Sequence, residues 1–132
     1  MKLIPKDRYV MVYPNEDTLV LVNIDKFMDR LKKDDPDFYI GTDTKSPSSL
    51  ERIKKSTDYI TNYGEDPRIF HPKTGERWHY DVMLEPTEAG FYNGKLGVRN
   101  GRHRIVALKK LGYTHAFIEV PQDQKNLFNI LA

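Results

Sequence analysis

The run Gly97-Val98-Arg99-Asn100-Gly101-Arg102-His103-Arg104 constrains the fold more than any other stretch of this chain. It reads as a strand over 95–99, a tight polar turn at Asn100-Gly101, and a helix over 102–111. The strand needs sheet partners and the helix needs a surface to cover. A chain built around this unit is therefore expected to be α+β, a small mixed sheet with three or four helices.

The same run predicts anion chemistry. Gly101 lets the backbone come close to a ligand or take a positive φ. A helix starting at Arg102 would aim its N–H groups and the positive end of its dipole at that ligand. Arg102, His103 and Arg104 add side-chain donors, and arginine grips a phosphate in a fork. Cations at a helix start are disfavoured by the dipole unless an anion or an acidic partner compensates. A solvated first turn with an arginine paired to a nearby glutamate is the competing reading, and the residues alone balance the two.

The charge distribution agrees with a small anionic ligand. Net charge is only +2, so bulk attraction to a nucleic acid is weak. Between Arg99 and Lys110, however, five Lys/Arg and one His occur with no acid. Residues 29–37 lean the other way, with Asp29, Asp34, Asp35 and Asp37. At 132 residues, with 39% hydrophobic and 30% charged residues, one globular domain over 1–132 is expected. No apolar run approaches the ~20 residues of a membrane span, and the first residues lack a signal peptide's apolar core. A cytoplasmic location is the expectation. The chain has no cysteine, which removes disulfides and thiolate metal sites.

Along the chain, 9–13 and 18–23 are expected as a hairpin around a turn at Pro14-Asn15-Glu16-Asp17. Asp25 is expected to cap a short helix ending near Lys33, with Ile24, Phe27, Met28 and Leu31 as its apolar stripe. Residues 41–49 form a polar loop. Leu50, Ile53, Thr57 and Ile60 predict a helix over 49–62, capped by Ser48 or Ser49. A strand is expected over 77–84. Pro86, Gly90 and Asn93-Gly94 mark 85–94 as a loop. A strand over 116–120 and a short terminal helix over 123–132 complete the pattern. Val98, Ile105, Val106, Leu108, Leu111, Phe117, Ile118 and Val120 are expected in the core, with Ala107 small because its helix packs closely.

Asn100-Gly101-Arg102-His103-Arg104, followed by Ala107 and Leu111-Gly112, resembles the signature of the ParB/sulfiredoxin-like superfamily. Gly101, Arg104 and Ala107 match its G-x-x-R-x-x-A frame, and His103-Arg104 matches its His-Arg variant. The likeness covers roughly 48–121, most closely 97–121. It implies a ParB/sulfiredoxin-like fold in which Asn100, Gly101, Arg102, His103 and Arg104 hold nucleotide phosphates. ATP, ADP or CTP is the implied cofactor, with Mg²⁺ carried in by the nucleotide. Two positions depart from the pattern. The family's catalytic cysteine position is Arg102 here, so thiol-based sulfinic acid reduction is chemically excluded. The first position, often Asp in the family, is Asn100, which leaves a capping or turn-holding role.

A nucleotide hydrolase or phosphotransferase is thus the leading expectation, with His103 and Glu85 as candidate catalytic residues. Asp25, Asp81 and Glu88 are further candidates for the base. His71, His79 and Asp81 form only a weak metal pattern, and no dedicated protein metal site is expected. Two alternatives remain: a DNA-binding or nuclease protein of ParB-like type, and a non-catalytic phage or mobile-element protein that binds a host protein. Full partition function is not expected, because 132 residues leave no room for a separate helix-turn-helix domain.

Overall fold

The computed structural model describes residues 18–36, 47–61 and 86–132. Four strands and three α-helices are described: β1 (Leu19–Asn23), α1 (Ile24–Asp34), α2 (Pro47–Thr61), β2 (Thr87–Tyr92), β3 (Lys95–Asn100), α3 (Arg102–Lys110) and β4 (His115–Glu119). A 3₁₀ helix, Gln122–Leu131, follows them. The expected strands over 9–13 and 77–84 lie outside the described residues, as do residues 41–46 of the expected 41–49 loop and residues 71, 79, 81 and 85.

The sheet is mixed, in the order β1-β4-β2-β3. β1 and β4 run antiparallel, Leu19 opposite Glu119 through Asn23 opposite His115. β4 runs parallel to β2, and β2 antiparallel to β3. This confirms an α+β protein with a small mixed sheet.

β2 corrects the expected loop over 85–94. Only Asn93-Gly94 form the turn there, both at positive φ, which is the conformation a two-residue hairpin demands. Gly90 does not break the strand. Gln124 reaches over from the 3₁₀ helix, its Oε1 accepting from the Phe91 N–H at 2.8 Å and its Nε2 donating to the Phe91 carbonyl at 3.0 Å. A Cβ at Gly90 would lie 3.0 Å from Tyr92 Oη and 3.3 Å from Gln124 Oε1. A side chain at Gly90 would therefore require Tyr92 or Gln124 to shift.

The first helix differs from expectation at its start. Asn23, not Asp25, is the N-cap, and its Oδ1 accepts from the Lys26 N–H at 3.1 Å. Asp25 sits in the first turn and pairs with Lys109 at 2.9 Å. α2 begins at Pro47, ahead of the expected caps Ser48 and Ser49, so residues 47–49 are helix rather than loop; proline's fixed φ suits a first helical position.

The core is continuous. Phe27 and Leu31 of α1, Ile53 of α2, Leu96 of β3, Ile105 and Ala107 of α3, and Ile118 of β4 are each at most 1% exposed. Val106, Leu108 and Val120 are also buried, while Val98, Leu111 and Phe117 are only partly so. Ala107 is fully buried, and α3 packs against both α2 and β2, so any larger side chain there would have to displace a neighbour.

Candidate functional site

The site is built at the junction of β3 and α3. The register of β3 against β2 slips near its end: Ala89 faces Val98 but Glu88 faces Asn100. One extra residue, Arg99, is accommodated in that slip. A bulge bends a strand and re-aims side chains, and here Arg99 lines a cleft beside the turn.

Gly101 then turns the chain into α3. It is the N-cap, in the left-handed region at φ 84°, and no side chain caps the helix. Asn100 therefore does not cap; it is the last residue of β3. The turn is held from β2: Thr87 Oγ1 donates to the Gly101 carbonyl at 2.9 Å. A Cβ at Gly101 would lie 3.0 Å from the Thr87 Cα and 3.0 Å from Arg104 Nη1. Positive φ and close backbone approach thus both require glycine, as the sequence predicts.

No side chain caps the start of α3; the Arg104 N–H donates to the Gly101 carbonyl at 3.1 Å, which leaves the Arg102 and His103 N–H groups as the uncapped first-turn donors. Asn100, Gly101, Arg102, His103 and Arg104 all line one open cleft of about 420 Å³. The structure thus brings together every described residue of the predicted phosphate loop. It adds a second wall that sequence reasoning missed. Arg52, Lys55 and Ser56 of α2 line the same cleft. Positions 52, 55 and 56 fall on one arc of the helix, next to the buried Ile53 that anchors it in the core. The helical period alone could have grouped them; only the packing of α2 on α3 places them opposite the loop.

The electrostatics are one-sided. Arg52, Lys55, Arg99, Arg102 and Arg104 line the cleft and no acidic residue does, among the described residues. Nor does an ion pair among the described residues engage Arg52, Lys55, Arg99 or Arg102. His103 is only 8% exposed. Burial is the main cause that holds its pKa below 6.5, and the charges of Arg102 and Arg52 push the same way.

Arg104 has a part in the loop itself. Its Nη1 donates to the Pro86 carbonyl at 3.4 Å, so it ties the start of β2 to the turn. Arg102 is the cleaner probe of ligand binding.

The two described acid candidates, Asp25 and Glu88, do not line the cleft. Asp25 is paired with Lys109, in the last turn of α3. Glu88 faces Asn100 across the sheet but does not line the cleft. Glu85 and Asp81 lie outside the described residues. Among the described residues, no group of three or more His, Asp or Glu could hold a metal ion, and no helix is long and apolar enough to cross a membrane.

No family model matches the chain, and neither the curated proteins nor the solved structures give a match.

Proposed function

We propose that this chain is a phosphate-binding domain of the ParB/sulfiredoxin-like kind, which takes nucleotides into the cleft and hydrolyses or transfers a phosphoryl group. The observation that carries the reading is a concave site with cations on both walls and no acid among its described residues. Like charges held together repel one another, and an anion between them converts that repulsion into charge-assisted hydrogen bonds. A phosphate at the start of α3 would also meet the helix's N-terminal N–H groups.

Each residue has a separable role. Gly101 keeps the backbone close to the ligand. Arg102 supplies a fork of donors at the start of α3. Arg104 braces the turn through Pro86. His103, kept neutral near pH 7 by its surroundings, can accept as well as donate a hydrogen bond. A bound phosphate raises its pKa, so the ring can take up a proton as the ligand arrives. In phosphoryl transfer most of the catalysis is positioning and charge stabilisation, which is what such a cleft offers. The side chains lining it fit phosphate oxygens rather than a metal; Mg²⁺ would be held by the nucleotide's phosphates and neutralise part of their charge.

Calorimetric titration of ATP, ADP, CTP and GTP with Mg²⁺ into wild type and Arg102→Ala tests the reading. Saturable binding that weakens at least about tenfold in the variant is expected, since a charge-assisted contact contributes ~1.5–3 kcal/mol. No binding by any of the four contradicts it.

A further inference from the structure

The cleft carries more positive charge than one phosphate can match. A phosphate monoester bears about −1.5 to −2 at neutral pH. Beside it stand Arg52 and Lys55 on α2, Arg99 at the bulge, and Arg102 and Arg104 on α3. A single phosphate at the start of α3 would leave the far wall uncompensated. A chain of phosphates would not, because each further phosphate adds about one negative charge and extends the anion away from the first.

Among the described residues the lining offers cations rather than a stacking surface for a base. Stacking on an aromatic ring is the sequence-tolerant way to hold a base. Among the described residues, Val98 is the lone apolar side chain on the cleft and no aromatic ring lines it. The remaining described contacts come from cations, His103, Ser56, Asn100 and the Gly101 backbone.

We infer that the cleft recognises an oligophosphate chain of two or more contiguous phosphates, with Arg52 and Lys55 of α2 selecting for its length and the base contributing little. This deepens the phosphate-binding reading above and rests on it. The first phosphate sits at Gly101–Arg104, where α3 begins. The later phosphates reach the α2 wall. Arg52 and Lys55 are therefore specificity residues, and Arg102 serves every phosphate ligand alike.

The test is a set of titrations on the full chain with phosphate, pyrophosphate, tripolyphosphate, AMP, ATP and CTP, without metal and then with Mg²⁺. A single-stranded oligonucleotide is the last ligand. Tripolyphosphate is expected to bind at least about tenfold tighter than phosphate, with ATP and CTP within about threefold of tripolyphosphate. The double variant Arg52→Ala/Lys55→Ala is expected to lose about tenfold or more for tripolyphosphate while phosphate stays within about twofold. Both side chains are exposed, so the variant should fold, and its thermal midpoint checks this. ATP binding without tripolyphosphate binding overturns the inference, as does a double variant that weakens both ligands equally or neither. An oligonucleotide that binds tighter than tripolyphosphate also overturns it, in favour of a nucleic-acid backbone. In all three outcomes the phosphate reading survives. If no anion binds at all, both readings fail together.

Discussion

The two ends of β3 treat arginine in opposite ways. At the Lys95 end, Arg30 of α1 pairs with Asp34 through its Nε, donates from Nη2 to the Gly94 carbonyl at 3.3 Å, and lies 5.3 Å from the centre of the Phe91 ring. Asp34 accepts in turn from the Leu96 N–H at 2.9 Å, and that bond, with Arg30, holds its carboxyl below 3.8. Phe91 packs on Phe128, with ring centres 4.9 Å apart. At the Asn100 end, Arg99, Arg102 and Arg52 gather at a cleft with no ion pair among the described residues. One end uses its cation to fasten a hairpin to a helix. The other leaves its cations to the cleft, and that costs stability unless something anionic returns it. The difference separates arginines tied into the fold from arginines that line the cleft, a distinction residue type alone does not make.

Substitutions that break the contrast should separate stability from binding. Gly101→Val has the largest expected effect, because it puts a β-branched side chain at φ 84° with its Cβ 3.0 Å from Thr87 Cα. A loss of about 2–3 kcal/mol in urea unfolding is expected, together with loss of phosphate binding. Asp34→Asn, at the satisfied end, should cost about 1–2 kcal/mol in the same experiment, since it weakens bonds to both Arg30 and Leu96. Its affinity for phosphate should stay at the wild-type value; a matching loss of binding would erase the distinction between the two ends. Arg102→Ala should do the reverse, weakening binding while leaving stability within about 0.5 kcal/mol of wild type or raising it, because a repelling charge is gone.

The smallest effect is in pH. The folded pKa of His103 lies below 6.5, so the unfolded chain binds the proton more readily. His103's contribution to stability is therefore complete above pH 6.5 and is lost as pH falls through the window down to its lowered value. Unfolding midpoints compared at pH 7.5 and below 6 should show that loss in wild type and a flatter profile in His103→Gln. A ligand reverses the sign: phosphate binding should draw a proton onto His103, read as a dependence of calorimetric heat on buffer identity that the variant lacks.

Local signals made part of this legible in sequence. Gly101, the basic first turn of α3, the apolar stripe of α1 and strands β1, β3 and β4 all follow from residues within a few positions of one another. What sequence reasoning missed depends on distant partners. β2 reads as a loop because Pro86 and Gly90 are turn residues, yet pairing on both sides and the Gln124 side chain make a strand there. The α2 wall was invisible for the same reason. Its helix is readable, but nothing local says that Arg52 and Lys55 face a loop about fifty residues further along.

The most direct measurement is an amide nuclear magnetic resonance titration of the labelled protein with tripolyphosphate, followed residue by residue. Shifts should concentrate at Gly101, Arg102, His103 and Arg52, while residues 30–34 and 94–96 stay in place. Shifts confined to the Arg30–Asp34 end, or absent throughout at millimolar ligand, would contradict the claim that the uncompensated arginines form a phosphate site.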